Sequence, residues 1–284
     1  IKKNSNSSSL NENTFTAPKN YFFSHWNTKA DDSGESYYNK DDINITEDIT
    51  LYAQWTANKY IITFDPNGGT VSTTSKEVTH GSTYGQFPNA TRTGFEFGGW
   101  YLGSTKINPT ETVNITSNQT FTAKWNVNSY KVSWKTGTGY SISVKRTSSP
   151  NKNAATGNLT NGAVIYYGDV LAITYTANTG YSLVSKGSTS ITVSGNVTSS
   201  NIYAGVEANN YTYNIVYKSK NGTQLGTGSV SYKYGSTNTI KPKTFAGYDT
   251  PASKNITWDS VTAKTITFEY TPSTVATFVK PRTV

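Results

Sequence analysis

The sequence contains no cysteine, no methionine and only two histidines. Without cysteine, neither a disulfide framework nor a thiolate metal site can form. His25 and His80 lie far apart, outside any spacing typical of a zinc site, and there is no Gly-x-Ser-x-Gly elbow for nucleophilic catalysis. These absences predict that the protein is not an enzyme and needs no cofactor or metal.

Long apolar runs are also missing. No stretch approaches the roughly 18–20 residues that cross a bilayer, and the first residues do not resemble the apolar region of a signal peptide. We therefore expect no membrane insertion here, and any export or anchoring signal outside this sequence. The net charge of +8 comes mainly from scattered lysines and favours polyanionic neighbours such as cell-wall polymers. Nucleic acid is not an expected partner, because no RNA-binding motif or basic run is present.

Three short strings recur along the chain: W-T-A-N-K-Y from Trp55, W-N-V-N-S-Y from Trp125 and V-E-A-N-N-Y from Val206. Recurring strings are typical of tandem modules. Modules this small need a dense core, which an aromatic content of 13%, with 21 Tyr and 6 Trp, can supply. The predicted division is a partial module lacking its first hairpin at 1–57, modules at 58–127, 128–208 and 209–272, and a tail or linker at 273–284.

Period-two alternation predicts that β strands dominate. Tyr60, Ile62 and Phe64 alternate with Ile61 and Thr63. Asn-Gly pairs at Asn67 and Asn221 indicate tight hairpins. Glycines recur in each module, and we expect them to take positive φ. Asn20 replaces the glycine in the first module, and Asn is the residue that best tolerates this conformation after Gly. Little helix is expected.

The aromatic residues could form a core or stack on sugars. Four tryptophans occupy repeated positions, which favours a core: Trp26, Trp55, Trp100 and Trp125. Adjacent residues on a strand face opposite sides. One ring each of Tyr37-Tyr38 and Tyr166-Tyr167 is therefore expected to be exposed.

The third module has an enlarged first hairpin, with extra residues at about 140–158 that include K-R-T-S-S-P-N-K from Lys145. This polar, basic segment is interrupted by Pro150, so we expect an exposed loop at its tip. If the chain has a local contact site for a ligand, this hairpin is the predicted place. The candidate contacts are Tyr140, Lys145, Arg146 and Lys152.

Carboxylates are concentrated in the first module, for example at Asp31, Asp32 and Glu35. Oxygen ligands of this kind could hold Ca²⁺, or the segment could be an exposed turn. The EF-hand spacing is absent.

Residues 58–127 resemble the Listeria–Bacteroides repeat, also called the internalin B-repeat. They carry Y-x-x-T-F-D-x-N-G-G from Tyr60, T-G-F-x-F-x-G-W-Y from Thr93 and F-T-A-K-W from Phe121. The first module is similar to the later half of the same repeat, and residues 209–272 more loosely resemble a mucin-binding-protein repeat.

The resemblance implies a mainly β (small α+β) fold class, with tandem β-grasp-like modules arranged as an elongated rod. It implies a secreted, cell-wall-associated protein at the bacterial surface, chiefly in Gram-positive species, and confers no catalytic residues. The expected role is a stalk that supports an adhesive region among other domains of the parent protein. The alternative is direct adhesion to host glycans, mucin or glycosaminoglycans.

Overall fold

The computed structural model describes residues 8–44 and 47–274, and their regular structure consists of β strands. The predicted mainly β architecture is therefore confirmed. The described part of the chain also contains no helix long and apolar enough to cross a bilayer. The chain divides into unit 1, residues 1–128, and unit 2, residues 129–284. Each unit is described by itself, and the rod arrangement and the four module boundaries stay predictions. Of the predicted tail at 273–284, residues 275–284 lie outside the described residues.

The first predicted module of unit 1 is built from five short or medium strands. In its sheet, β2 pairs antiparallel with β3 on one side and β5 on the other, and β1 pairs with β4. Leu10 and Ile43 form its small buried cluster, against which Trp26 and Leu51 pack. The strands are β1 (Ser8–Ser9), β2 (Tyr21–Asn27), β3 (Ser36–Tyr37), β4 (Asp42–Ile43) and β5 (Tyr52–Ala57).

The second predicted module contains one five-stranded sheet and a short strand pair. Its strands are β6 (Lys59–Asp65), β7 (Thr70–Val71), β8 (Ser75–Thr79), β9 (Ala90–Thr91), β10 (Phe95–Leu102), β11 (Thr105–Lys106) and β12 (Gln119–Val127). The main sheet has the order β11-β10-β12-β6-β8, and its central pair, β12 and β6, is parallel. The first and last long strands thus meet at the centre, as expected for a β-grasp-like module, although the crossover carries no helix. Ile62, Phe64 and Phe121 are buried in its core.

The third module opens unit 2 and departs from this plan. Its opening strand, β13, pairs with β16, and the residues between them add β14 and β15. β14 also pairs with β17 along most of its length, so the extra residues extend a second sheet of order β15-β14-β17-β19. The strands are β13 (Ser129–Lys131), β14 (Tyr140–Ser148), β15 (Gly157–Leu159), β16 (Val164–Tyr166), β17 (Val170–Ala177), β18 (Tyr181–Lys186), β19 (Ser190–Thr192) and β20 (Ala204–Ala208).

The fourth module returns to the plan of the second. Its sheet has the order β22-β21-β26-β24, again with its first and last strands parallel at the centre. A short pair, β23 and β25, completes it. The strands are β21 (Asn210–Ser219), β22 (Gln224–Lys233), β23 (Thr237–Ile240), β24 (Tyr248–Asp249), β25 (Lys254–Thr257) and β26 (Thr265–Pro272). Trp258, Phe268 and Tyr270 are fully buried in its core.

Turn residues and tryptophans largely follow the predictions. Asn20 has φ 66° and Asn67 has φ 46°, so both asparagines adopt the conformation that the sequence predicted. The recurring glycines also have positive φ: Gly81, Gly94, Gly168, Gly180, Gly235 and Gly247. Trp100 is only 2% exposed, while Trp26 and Trp125 are half-buried against their module cores.

Candidate functional site

The inserted hairpin of the third module is built on the alternation of β14. Ile142, Val144 and Arg146 lie on the core side of this strand, while Ser143 and Lys145 face solvent. Pro150 in the loop after β14 packs closely against Gly168 in the turn between β16 and β17, where an added Cβ would lie 2.8 Å from the proline Cγ. The hairpin is therefore anchored at its base.

Arg146 is the buried anchor of this hairpin and is only 6% exposed. Its Nε donates to Asp169 Oδ2 at 2.7 Å, Nη1 donates to the carbonyl of Ala155 at 3.1 Å, and Nη2 donates to that of Val164 at 2.5 Å. Asp169 Oδ2 also accepts from the backbone N–H of Tyr166 at 2.9 Å. The prediction that Arg146 is a surface contact is wrong, because its guanidinium is used to join three segments of the module.

The other three candidate contacts differ in accessibility. Lys145 and Lys152 are exposed, and within the described ranges neither forms a salt bridge. Tyr140 is half-buried, and its hydroxyl donates to the carbonyl of Lys135 at 3.2 Å. Only the two lysines thus remain open to a ligand on this hairpin, and their role in binding stays a prediction.

The carboxylates of the first module are used in local turns. Asp32 Oδ1 lies 2.7 Å from His25 Nε2. Asp31 accepts hydrogen bonds from the hydroxyl and the N–H of Ser33, which lower the pKa of that carboxyl. In the part of the chain that the structure describes, no group of three acidic or histidine side chains could hold a metal ion.

The tyrosine pairs behave differently. Tyr38 is 57% exposed, whereas Tyr37 packs against the buried cluster of the first module, as predicted for adjacent strand residues. Tyr166 and Tyr167 are both half-buried, so the prediction of an exposed ring is wrong for that pair.

The joint between the first two modules is built from hydrogen bonds and one ring contact. The N–H of Asn58 donates to the carbonyl of Asn20 at 2.8 Å, and the N–H of His80 donates to the carbonyl of Asn58 at 2.9 Å. The Tyr60 hydroxyl donates to Asn20 Oδ1 at 3.1 Å. The edge of the Tyr21 ring meets the His80 ring at 5.9 Å between centroids. We name this set the first joint.

The same geometry recurs in unit 2, where the third module meets the fourth. The N–H of Asn209 donates to the carbonyl of Gly180, and the N–H of Tyr234 donates to the carbonyl of Asn209, both at 2.9 Å. The ring of Tyr234 makes edge contacts with Tyr181 at 5.7 Å and with Tyr211 at 6.1 Å. We name this set the second joint. In each joint, one asparagine both donates to the preceding module and accepts from the following one.

Sequence reasoning missed two features. The burial of Arg146 was indicated by the strand pattern, since its position continues the alternation of Ile142 and Val144 onto the core side. The ring pairs of the joints were missed because their partners are far apart in sequence, as with Tyr21 and His80. Together these groups can bind modules to one another and fix a hairpin.

Comparison with known families gives two matches within the chain. Residues 2–54 and 60–124 both match the Listeria-Bacteroides repeat domain. These segments correspond to the first and second modules.

Similar proteins occur in bacteria. A putative Gly-rich membrane protein of Evansella cellulosilytica is 35% identical over 126 residues, which is 43% of this chain and 14% of that protein. Internalin H of Listeria monocytogenes is 35% identical over 96 residues, or 34% of this chain and 17% of that protein. The chain thus spans under a fifth of the length of these relatives. Among solved structures, the Bacillus anthracis TIE protein aligns with 79% of this chain and 55% of its own, at 10% identity and a TM-score of 0.37.

Proposed function

Because residues 2–54 and 60–124 are Listeria–Bacteroides repeats, we propose that the chain is a non-catalytic spacer region of a secreted bacterial cell-surface protein. It projects or supports an adhesive region carried elsewhere in the parent protein. The similarity to internalin H and to putative membrane proteins supports a surface setting. Association with a Gram-positive cell wall is the finer form of the same proposal.

The recurring joint is the observation that carries this proposal. Consecutive modules are joined by backbone hydrogen bonds to a single asparagine, at Asn58 and at Asn209, with an aromatic contact beside each. A spacer needs joints of this kind, since flexible coils between modules would let the array collapse under chain entropy. Nothing in this role requires catalytic groups.

An experiment on living cells tests the spacer role. The whole chain is placed between a surface anchor and a peptide epitope on a bacterium, and antibody binding to the epitope is measured. The comparison is a Gly/Ser linker of the same 284 residues. We expect the chain to present the epitope to more antibody than the linker does, because ordered modules resist coiling. Equal presentation by the linker would contradict the proposal.

Direct adhesion is the second candidate function, and the exposed lysines of the inserted hairpin favour it. Lys145 and Lys152 lack acidic partners among the described residues, so they remain available to a host glycoprotein, a sulfated glycan or a cell-wall polyanion. Binding of the whole chain to a glycosaminoglycan such as heparin is measured with and without K145Q and K152Q. Loss of binding in the double variant supports adhesion through this hairpin, whereas unchanged binding or none at all rejects it.

A further inference from the structure

The fourth module contains an open cavity of about 430 Å³ beside the buried face of its sheet. Its floor is formed by Ile215 and Tyr217 of β21 and by Ile240 at the end of β23, and Lys241 and Lys243 lie at its rim. This volume falls within the range of sites that hold small ligands. We name this cavity the Tyr217 trough.

A glycine of β22 keeps the trough open. Gly228 lines the cavity and pairs directly with Ile215 of β21, whereas a Cβ at Gly226 would meet the Phe245 ring at 3.3 Å. A Cβ at Gly228 would lie 3.5 Å from the Tyr217 hydroxyl. Neither glycine has a positive φ, so the backbone conformation does not require them. A glycine inside a strand weakens it and often marks a site of close approach.

The Tyr217 hydroxyl borders the trough and has no hydrogen-bond partner among the described residues. The residue is only 3% exposed, yet its hydroxyl makes no hydrogen bond within residues 8–44 and 47–274, whereas the buried Tyr270 hydroxyl of the same module donates to the carbonyl of Lys243. Burial also raises the pKa of Tyr217, so its hydroxyl keeps its proton at neutral pH and can donate.

The rim of the trough is positively charged. Lys241 and Lys243 are exposed, and neither forms a salt bridge among the described residues. The Lys243 ammonium lies 5.8 Å from the centre of the Tyr217 ring. No acidic side chain lines the cavity, while Ser229 and the partly exposed ring of Tyr232 do.

We propose that the Tyr217 trough binds a carboxylated sugar of about one pyranose ring. Lys241 and Lys243 bind the carboxylate, the Tyr217 hydroxyl donates to a ring substituent, and the apolar floor accepts the C–H face of the ring. An anion alone does not account for the apolar floor, and a neutral sugar does not account for two free ammonium groups. The proposal goes beyond the spacer role and does not depend on it.

The test uses the whole chain with two probes that differ only at C6, the carboxylate methyl glucuronide and the neutral methyl glucoside. Backbone amide NMR signals are followed as each probe is added. We expect the glucuronide to shift the signals of Gly228, Lys241 and Lys243 and to bind at least about tenfold more tightly than the glucoside, since a charge-assisted bond is lost in the neutral probe. Equal binding of both probes, or shifts spread evenly over the lysines of the chain, would overturn the proposal.

Matched variants locate the site. K241Q/K243Q is expected to weaken glucuronide binding at least about tenfold, while K220Q, on an exposed lysine of the same module, leaves it unchanged.

G228V fills the trough over the Tyr217 hydroxyl and should abolish binding. T227V on the adjacent, exposed strand position should not. Dispersed amide spectra verify that each variant folds, and full binding by folded G228V contradicts the assignment.

A separate variant tests the contribution of the Tyr217 hydroxyl to binding. Y217F removes only the oxygen and is expected to weaken binding by about fivefold, in line with the loss of one hydrogen bond. Unchanged affinity in Y217F would remove this hydroxyl from the site.

Discussion

The two joints reach the same geometry with different residues. In the first joint, Asn20 has φ 66° and lies beside an imidazole, with its Nδ2 at 3.5 Å from His80 Nε2. In the second, Gly180 has φ 87°, and the large ring of Tyr234 packs directly onto it. A Cβ at Gly180 would lie 2.3 Å from Cγ of that ring. The asparagine side chain thus lies beside the smaller ring of His80, whereas glycine lies beside the larger ring of Tyr234.

The difference indicates that the turn residue and the ring beside it must fit each other. The turn residue, Asn20 or Gly180, takes positive φ, which Gly and Asn do most readily. Only Gly leaves room for the phenol ring of Tyr234 at this distance. Where Asn stands instead, its amide links Tyr60 and His80 through hydrogen bonds. The first joint is therefore polar, and the second is packed.

Gly180→Ala should cause the largest loss of stability, because it combines a positive φ with a clash against Tyr234. We expect a cost of about 3 kcal/mol in unit 2, measured by denaturant unfolding followed through amide signals of that unit. Gly247→Ala is the control. It has φ 80° with no atom within 4 Å of the added Cβ and should cost about 1 kcal/mol. Equal costs for the two variants would show that Tyr234 is not a packing constraint.

Asn20→Ala is expected to cost about 2 kcal/mol in unit 1, since it strains the turn and leaves Tyr60 without its acceptor. Asn20→Gly keeps the conformation and loses only the hydrogen bonds, so its cost should be nearer 1 kcal/mol. Denaturant unfolding, followed through the amide signals of unit 1, separates the cost of the strained turn from the cost of the lost hydrogen bonds. A glycine variant more stable than the native chain would contradict a stabilising role for the amide.

Exchanging the pair tests the coupling directly. Gly180→Asn and Tyr234→His together convert the second joint into the first. The double variant should be more stable than the sum of the single costs predicts, with a coupling of about 1 kcal/mol. Strict additivity in this double-mutant cycle would mean that the two positions do not act together.

The smallest effect on stability is expected when the pH is lowered, through an ion pair at the second joint. Glu207 and Lys233 form an exposed ion pair across it, and the hydrogen bond and charge of the lysine lower the pKa of Glu207 below its ordinary value of 4.5. A lowered pKa stabilises the folded state above pH 4.5, and this contribution is lost as the pH falls through the lowered pKa. In the first joint, Thr56 occupies the position of Glu207, and Thr79 occupies that of Lys233.

This effect is measured by comparing the native chain with Glu207→Gln at pH 6 and at pH 3. The stability difference seen at pH 6 should disappear at pH 3 and at high salt. A difference that persists in acid would assign the contribution to something other than the ion pair.

Much of the fold could be predicted from the sequence because its signals are local. Alternation at Tyr60, Ile62 and Phe64 matches a strand with those three side chains buried. Asn67 has the positive φ that its Asn-Gly pair indicates, but the predicted tight hairpin is wrong there, because β7 after this turn pairs with β9 and not with β6. The β-grasp-like order of the second and fourth modules came from the resemblance rather than from periodicity. Strand pairing between distant segments leaves no local pattern.

The candidate site was harder to predict. A run of polar and basic residues favoured a solvated loop, yet the strand alternation of β14 continues into it and buries Arg146 against Asp169. The Tyr217 trough depends on which residue of β21 faces Gly228, and hence on register. Register is set by the whole sheet.

The central claim is that the joints hold consecutive modules at a fixed geometry. Because the chain has no native cysteine, spin labels can be placed at Y52C and S75C across the first joint, and at S143C and S231C across the second. All four positions are exposed strand residues. Pulsed electron spin resonance on the whole chain should give one narrow distance distribution for each pair. Broad distributions, with the labelled chain still folded, would contradict the account.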